Sequence, residues 1–447
     1  MKKRLVALLL GAAMTASLVA GCGSSSSSSS SSAGSSSSAS STASASSASG
    51  EAASGDKITI TIATDYLENN TESVATNFNA ALASAKEYFA DKYNIESEAY
   101  AIESYKEKIR NLVAADEQPD IFMVWGAGFM SSFVDAGKVA AIDDYISDET
   151  ASEIQDGSLD MFTFNDKTYG LTSSKWVGSL YCNTALFDEY GLELPTTYDE
   201  LLDVCAAFRE NGVQPIALGA KDQWPCQQYI NEFTIQLAGA EETNKMVFKE
   251  TSVDNEYVAQ ATDYVIEMIN AGCFNDNFMG LSNEEAYASF TRGECAMMYT
   301  NSNYSSQAYE EGSAVADSIT AIRFPLLSDA VTSTDYFGGS IDGLCMSANC
   351  EYPEETYEVM EYITREWARN TGVLSTWDLD DLAESYEVDT VIADFSSDAT
   401  GYALAWDTLY DSNDAQTWLD LVSEVYSGNI TEGSDFAAQL QAAVAEE

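Results

Sequence analysis

From residue 57 the chain alternates between two hydrophobic periods. Lys57–Ala63 (KITITIA) puts Ile58, Ile60 and Ile62 on one face, the period-2 pattern of a strand. Thr71–Tyr93 carries Val74, Phe78, Leu82, Ala85 and Phe89 at helical spacing, and Tyr105–Ala115 repeats it with Tyr105, Ile109, Leu112 and Val113. Asp120–Trp125 (DIFMVW) is a short continuous apolar run after Pro119, which fits a parallel strand covered on both faces. This βαβ rhythm predicts an α/β layered fold.

The rhythm resumes further on. Thr197 and Glu200 form a capping box that opens a helix through Leu201, Val204 and Phe208, ending at Gly212. Gln214–Gly219 reads as a strand, Asp254–Ala271 and Ser282–Arg292 as helices, Glu294–Thr300 and Ile341–Ser347 as strands. Helices follow from about Pro353 to Asn370, near 411–427 and near 434–446. No repeat or linker interrupts 56–447, so two lobes sharing one body are expected.

The first 55 residues have a different character. A basic start (Lys2, Lys3, Arg4) leads into an apolar run from Leu5 to Ala20, short for a membrane span and suited to a signal peptide. It ends in Val19-Ala20-Gly21-Cys22, which resembles a bacterial lipobox with Cys22 as the lipidated residue. Residues 23–55 are nearly all Ser, Gly and Ala, a composition that behaves as a flexible tether with a reach of roughly 30 Å. The expected location is extracytoplasmic, anchored by lipid to the outer face of the bacterial cytoplasmic membrane.

Composition then removes function classes. There are 20 Lys+Arg against 72 Asp+Glu, a formal net charge of −52, which repels nucleic-acid phosphates. The absence of histidine excludes Ser-His-Asp and Cys-His catalysis and His-based zinc sites. No P-loop, HExxH or complete EF-hand loop occurs, so no catalytic residue, metal or cofactor is expected. The seven cysteines after Cys22 (Cys182, Cys205, Cys226, Cys273, Cys295, Cys345 and Cys350) match no metal or disulfide framework by spacing and read as core residues.

Several stretches resemble the extracellular solute-binding protein family 1, the sugar-binding lipoproteins of ABC importers related to maltose- and raffinose-binding proteins. They are Gln118–Gly128 (QPDIFMVWGAG), Tyr181–Glu200 (YCNTALFDEYGLELPTTYDE), Phe290–Tyr299 (FTRGECAMMY), Gly338–Pro353 (GGSIDGLCMSANCEYP) and Tyr426–Gln439 (YSGNITEGSDFAAQ). Their order and spacing along 56–447 carry the resemblance. It implies a periplasmic-binding-protein-like fold of two α/β lobes with a ligand cleft between them and a flexible hinge. The implied lobes are 56–171 plus 341–392, and 172–340 plus 393–447. It also implies an oligosaccharide ligand, ABC permease subunits as partners, and a monomer.

A sugar needs flat aromatic platforms for its C–H face and carboxylates or amides for its hydroxyls. In open α/β sheets, ligands lie beyond the carboxyl ends of the strands. Candidates after predicted strands are Asp65, Tyr66 and Glu68; Trp125 and Gly126; Lys175 and Trp176; Asp222 and Trp224; and Asn301, Asn303 and Tyr304. Tyr336, Gly339 and Asp342 flank the expected hinge, and Trp377 and Trp406 complete the aromatic candidates. The expected activity is capture by lobe closure about 172–175 and 338–342. The rivals are a surface glycoside hydrolase using paired carboxylates, and a surface carbohydrate receptor or adhesin without transport. An amino sugar or other cationic solute is an alternative ligand.

Overall fold

The computed structural model describes residues 57–444 except 329, 330, 332 and 333. The leader, Cys22 and the tether lie outside the described residues.

Two sheets organise the body. The first contains β1 (Ile58–Thr64), β2 (Tyr93–Ala99), β3 (Ile121–Trp125) and β4 (Gly170–Thr172). Its remaining strand, β10, is Asp342–Met346. The order is β2-β1-β3-β10-β4, with β1 parallel to β2 and β3, and β10 antiparallel to β3 and β4. Helices α1 (Ser73–Tyr88), α2 (Ile102–Ala114) and α3 (Gly128–Asp135) belong with it. Val74, Phe78, Leu82 and Ala85 are buried along α1, as the helical period requires.

The second sheet is built on β5 (Trp176–Asn183), whose eight residues are all buried. Its neighbours are β6 (Gln214–Ala217), β7 (Cys295–Asn301), β8 (Ile319–Ile322), β9 (Asp335–Gly339) and β11 (Gly401–Ala403). The order is β11-β9-β5-β7-β6, with β8 also pairing β5. The helices here are α4 (Tyr198–Glu210), α5 (Trp224–Ala238), α6 (Glu256–Asn270) and α7 (Asn283–Thr291). Both halves of the expected Thr197–Glu200 capping box are present on α4.

The chain passes between the sheets at 173–175 and 340–341. A third passage follows α8 (Pro353–Thr371) and leads to α9 (Glu387–Phe395). The first and third passages are bonded together: Lys175 N–H donates to Leu374 O at 3.1 Å, and Thr376 N–H to Ser173 O at 3.1 Å. The fold is therefore a two-lobed α/β body. Val388 and Ile392 of α9 share a core cluster with Tyr181, Tyr304 and Ala321. That helix thus packs with the second sheet, whereas the expected boundary at 392 grouped it with the first. The chain ends with α10 (Trp406–Leu409), α11 (Ser412–Tyr426) and α12 (Gly433–Val444). Among the described residues no helix is long and apolar enough to cross a membrane.

Candidate ligand cleft between the lobes

The first lobe brings three strand ends together. β1 stops at Thr64, leaving Asp65 and Tyr66 beyond its carboxyl end. Trp125 is the last residue of β3, and antiparallel register sets it directly against Asp342, the first of β10. Asp65 is 8% exposed and its Oδ1 has no hydrogen-bond partner among the described residues. Burial, then the Asp342 charge, pushes its carboxyl up to about 8. Burial also raises Asp342 to about 6, against the opposing hydrogen bond from Trp125. Trp125 stands edge-on to Phe129, with centroids 5.0 Å apart at 84°, and Lys106 Nζ lies 5.4 Å from its ring centre.

The second lobe answers with α5 and α10. Gln227 Oε1 accepts the Asp407 N–H at 3.2 Å and Asn231 Oδ1 accepts the Trp406 N–H at 3.4 Å, locking the two helices together. Gln228 Oε1, Asn231 Nδ2, Trp406 Nε1 and Asp407 Oδ1 are buried without hydrogen-bond partners among the described residues. Buried polar atoms rarely stay unpaired, because each costs about 1–3 kcal/mol. Of these, Asp407 faces the first lobe: the Lys106 charge acts on both Asp65 and Asp407, and Glu103 of α2 also acts on Asp407. Across the same gap, a Cβ on Gly128 of α3 would lie 2.1 Å from Leu409 O of α10.

The lobes also touch beside the start of α1. Ser306 N–H donates to Ser73 Oγ at 3.1 Å and Ser306 Oγ to Thr71 O at 2.5 Å. Between them Glu72 is raised to about 7, first by burial and then by Glu284 of α7. Near this contact a cavity of about 280 Å³ is lined by Ser73, Asn77, Lys175, Asn303, Tyr386 and Asp389, with elements of both lobes contributing. Burial lowers the Lys175 ammonium from its ordinary value.

The structure thus gathers Asp65, Trp125 and Asp342 in one place and sets Lys175 and Asn303 on the adjoining cavity. Trp224 is half-buried at the start of α5. Trp406 joins the site through its indole N–H, while its ring is fully buried, 4.8 Å from that of Trp418. Tyr66 contributes an unpaired hydroxyl, while its ring packs on Phe78 and Trp367. Other candidates have structural places. Glu68 is exposed. Gly126 makes room for Met161 O, 2.5 Å from its would-be Cβ, and not for a ligand. Asp222 is exposed and accepts the Asn283 N–H at 2.7 Å at the start of α7. Asn301 caps the 302–304 turn through Asn303 N–H at 3.0 Å. Trp176 packs edge-on to Phe337.

Four more candidates are held by core or strand packing. Tyr304 is fully buried among Tyr181, Tyr287 and Phe290, with its hydroxyl on Thr291 Oγ1 at 2.7 Å. Trp377 is fully buried and donates its indole N–H to Thr172 O at 2.7 Å. The Tyr336 hydroxyl donates to Phe395 O, and Arg323 covers its ring. Gly339 has φ 131° at the end of β9, a region an L side chain avoids, which shapes the passage to β10. The sequence reading did not pick out Glu72, Lys106, Gln228, Asn231 or Asp407. The signal for the α5 pair was there, since a helix with Gln227, Gln228, Asn231, Glu232 and Gln236 all buried is polar where a core helix should be apolar. Among the described residues no group of three or more Cys, Asp or Glu could hold a metal ion.

A family model described as bacterial extracellular solute-binding protein matches residues 73–369. A solved structure reported for xylan utilization by Caldanaerobius polysaccharolyticus is 30% identical, covers 86% of this chain and 99% of its own, and superposes with TM-score 0.81. A chitin oligosaccharide binding protein, 21% identical over 87% of this chain and 98% of its own, shares the fold at TM-score 0.77. Among curated relatives, an uncharacterized ABC transporter extracellular-binding protein of Pyrococcus horikoshii is 24% identical over 42% of this chain and 43% of its own length. The chain thus spans under half of that relative, and 65% of putative binding proteins from Brucella.

Proposed function

The chain belongs to the bacterial extracellular solute-binding proteins, and on that premise we propose that it captures a neutral oligosaccharide between its lobes and delivers it to the membrane permease of an ABC importer. The observation that carries this reading is a set of buried polar atoms without hydrogen-bond partners among the described residues, on the strand ends of the first lobe and on α5 and α10 of the second. Gln228 Oε1 and Asp407 Oδ1 are acceptors, Asn231 Nδ2 and Trp406 Nε1 are donors, and the Asp65 carboxyl, which keeps its proton up to about pH 8, can donate or accept. A polyhydroxylated ligand donates and accepts at once, and its C–H face suits an indole. Xylan and chitin oligosaccharides, named for the two structural neighbours, are the first ligands to try.

Closure turns about 173–175, 340–341 and the segment near 374–376. A micromolar affinity requires about 8 kcal/mol net, within reach of one stacked ring and several hydrogen bonds in a desolvated cleft. The lipobox sequence at Val19–Cys22 supports a lipid anchor, and residues 23–55 a tether leaving the body free to meet a permease. The protein acts as a monomer and without catalysis. One feature favours a second reading: Asp342 acts on the buried Asp65 carboxyl, and a pair of neighbouring carboxylates is the device of a glycoside hydrolase.

A thermal-shift screen of xylo-oligosaccharides, chito-oligosaccharides, amino sugars and polyamines, with chromatography of the sugar afterwards, tests both. A ligand at 100 times its Kd adds about 2.7 kcal/mol of stability. A shift with intact neutral sugar is the expected result. Shortened sugar would establish the hydrolase, and a shift confined to polyamines would replace the ligand class.

A further inference from the structure

Six of the seven tryptophans meet another ring or a cation of the protein. Trp224 is the exception. Among the described residues its ring meets no other ring and no cation, its indole N–H has no hydrogen-bond partner, and it is only half-buried. It opens α5, and the helical period sets it on one face with Gln228 and Asn231, at i, i+4 and i+7. Gln228 Oε1 and Asn231 Nδ2 are the buried polar atoms of α5 that lack partners among the described residues. One face of the helix thus presents an unstacked ring beside unsatisfied amides.

The residue before it is held in an unusual way. Gln223 has φ 62° and ψ −52°, close to the strained γ-turn combination of about +75° and −65°. Glycine would adopt this backbone without strain. Glutamine instead brings an amide, and both ends of that amide are used. Nε2 donates to Asp420 Oδ1 at 3.1 Å and to Ser423 Oγ at 3.1 Å, and Oε1 accepts from Gln416 Nε2 at 3.2 Å. Gln416, Asp420 and Ser423 share one face of α11. The backbone is pinned as well: Gln223 N–H donates to Ala220 O at 3.1 Å, and its carbonyl accepts the Cys226 N–H at 3.0 Å. Strained backbone persists only where its surroundings hold it, and such places cluster at ligand clamps. The first lobe has a counterpart in Ala127, two residues after Trp125, with φ 54° and ψ −127°.

We propose that Gln223 is a positioning residue: gripped by α11, it fixes the turn that aims the Trp224 indole into the cleft, where the ring takes the C–H face of one sugar unit. The sugar part of this inference rests on the oligosaccharide reading above. The strain is borne before the ligand arrives, so the ring has little freedom left to lose on binding.

The full chain labelled with fluorotryptophan gives one fluorine resonance per tryptophan, and the line lost in Trp224→Phe identifies residue 224. Gln223→Gly keeps the backbone but releases the grip. In the ligand-free variant that line alone should shift or broaden, with the melting temperature close to wild type. Xylo- or chito-oligosaccharide should move the same line in the wild type. Gln223→Gly should weaken that binding about three- to ten-fold, the cost of ordering one large side chain, and should add no further loss once Trp224→Ala is in place. Asp420→Ala, which cuts the grip from α11, should act in the same direction and decides if the glycine variant does not fold. A Trp224 line unchanged in both variants overturns the proposal. So does a sugar that binds without moving that line, or an equal loss from Gln223→Gly in the Trp224→Ala background. If neither sugar binds, the ligand reading fails, and the ligand-free line still decides whether Gln223 positions Trp224.

Discussion

Asp65 shows how one side chain can be both a liability and a site. Its carboxyl is buried beside Asp342, with Glu72 and Lys106 also acting on it. The values for Asp65, Glu72 and Asp342 rise from 3.8, 4.5 and 3.8 to about 8, 7 and 6. Each holds its proton more tightly folded than unfolded. Their stabilisation is thus complete below about pH 4 and is lost as pH climbs through those raised values. The thermal midpoint of the ligand-free protein should fall between about pH 4 and 8, and Asp65→Asn should flatten that fall. Scanning calorimetry at constant ionic strength measures it; an unchanged slope in the variant would contradict the assignment. Aromatic substitutions should divide by place. Trp125→Ala removes a platform and should weaken binding about 10- to 100-fold, roughly 1.4–2.8 kcal/mol, and, because the ring is also buried on Tyr105 and Phe129, should cost stability as well. Tyr304→Ala empties a core cluster and should cost about 3–5 kcal/mol of stability while the folded fraction binds normally. Calorimetric titration paired with urea unfolding separates the two. Trp125 and Asp342 were legible because a strand end has a position in sequence. Tyr304 and Trp377 were not told from cleft residues, since a loop after a strand reads the same whether its ring turns inward or outward.

At the scale of elements, the strands and long helices were readable wherever one period ruled. β1, β3, α1, α4 and α6 lie where Ile, Val and Phe spacing put them. Among the elements that escaped are β5, β8, β11, α9 and α5; in α5 the buried Gln, Asn and Glu blur the apolar stripe. Gln228 and Asn231 among them belong to the proposed cleft, and a functional site is where a local rule is expected to fail. The facing contact between α3 and α10 also has no sequence period. It rests on Gly128, where a methyl group would run into Leu409 O at 2.1 Å and Tyr410 O at 2.5 Å. Gly128→Ala should therefore hold the lobes apart. The expected outcome is a ten-fold or greater loss of affinity with a ligand-free melting temperature close to wild type. Unchanged affinity would mean that α10 does not need to seat on α3.

For the whole molecule, two sheets are joined by three passages, and the proposed function has the lobes turn about them. Under the proposed closure, the bonds of Ser306 to Ser73 and Thr71 hold the lobes together at one side, while the Glu72 and Glu284 charges oppose their approach. Ligand therefore has to supply the balance. Ser306→Ala should raise the dissociation rate several-fold, measurable by stopped-flow tryptophan fluorescence, with the association rate nearly unchanged. The ligand's identity was not legible, because many sugars present the same hydroxyl edges. The most direct test is isothermal titration of the full chain with xylo- and chito-oligosaccharides, run beside Trp125→Ala. A single site of micromolar or tighter Kd for an intact sugar, with a negative heat-capacity change and clear weakening in the variant, is the expected result. No heat with any oligosaccharide, or binding that Trp125→Ala leaves untouched, would contradict a sugar held between these lobes.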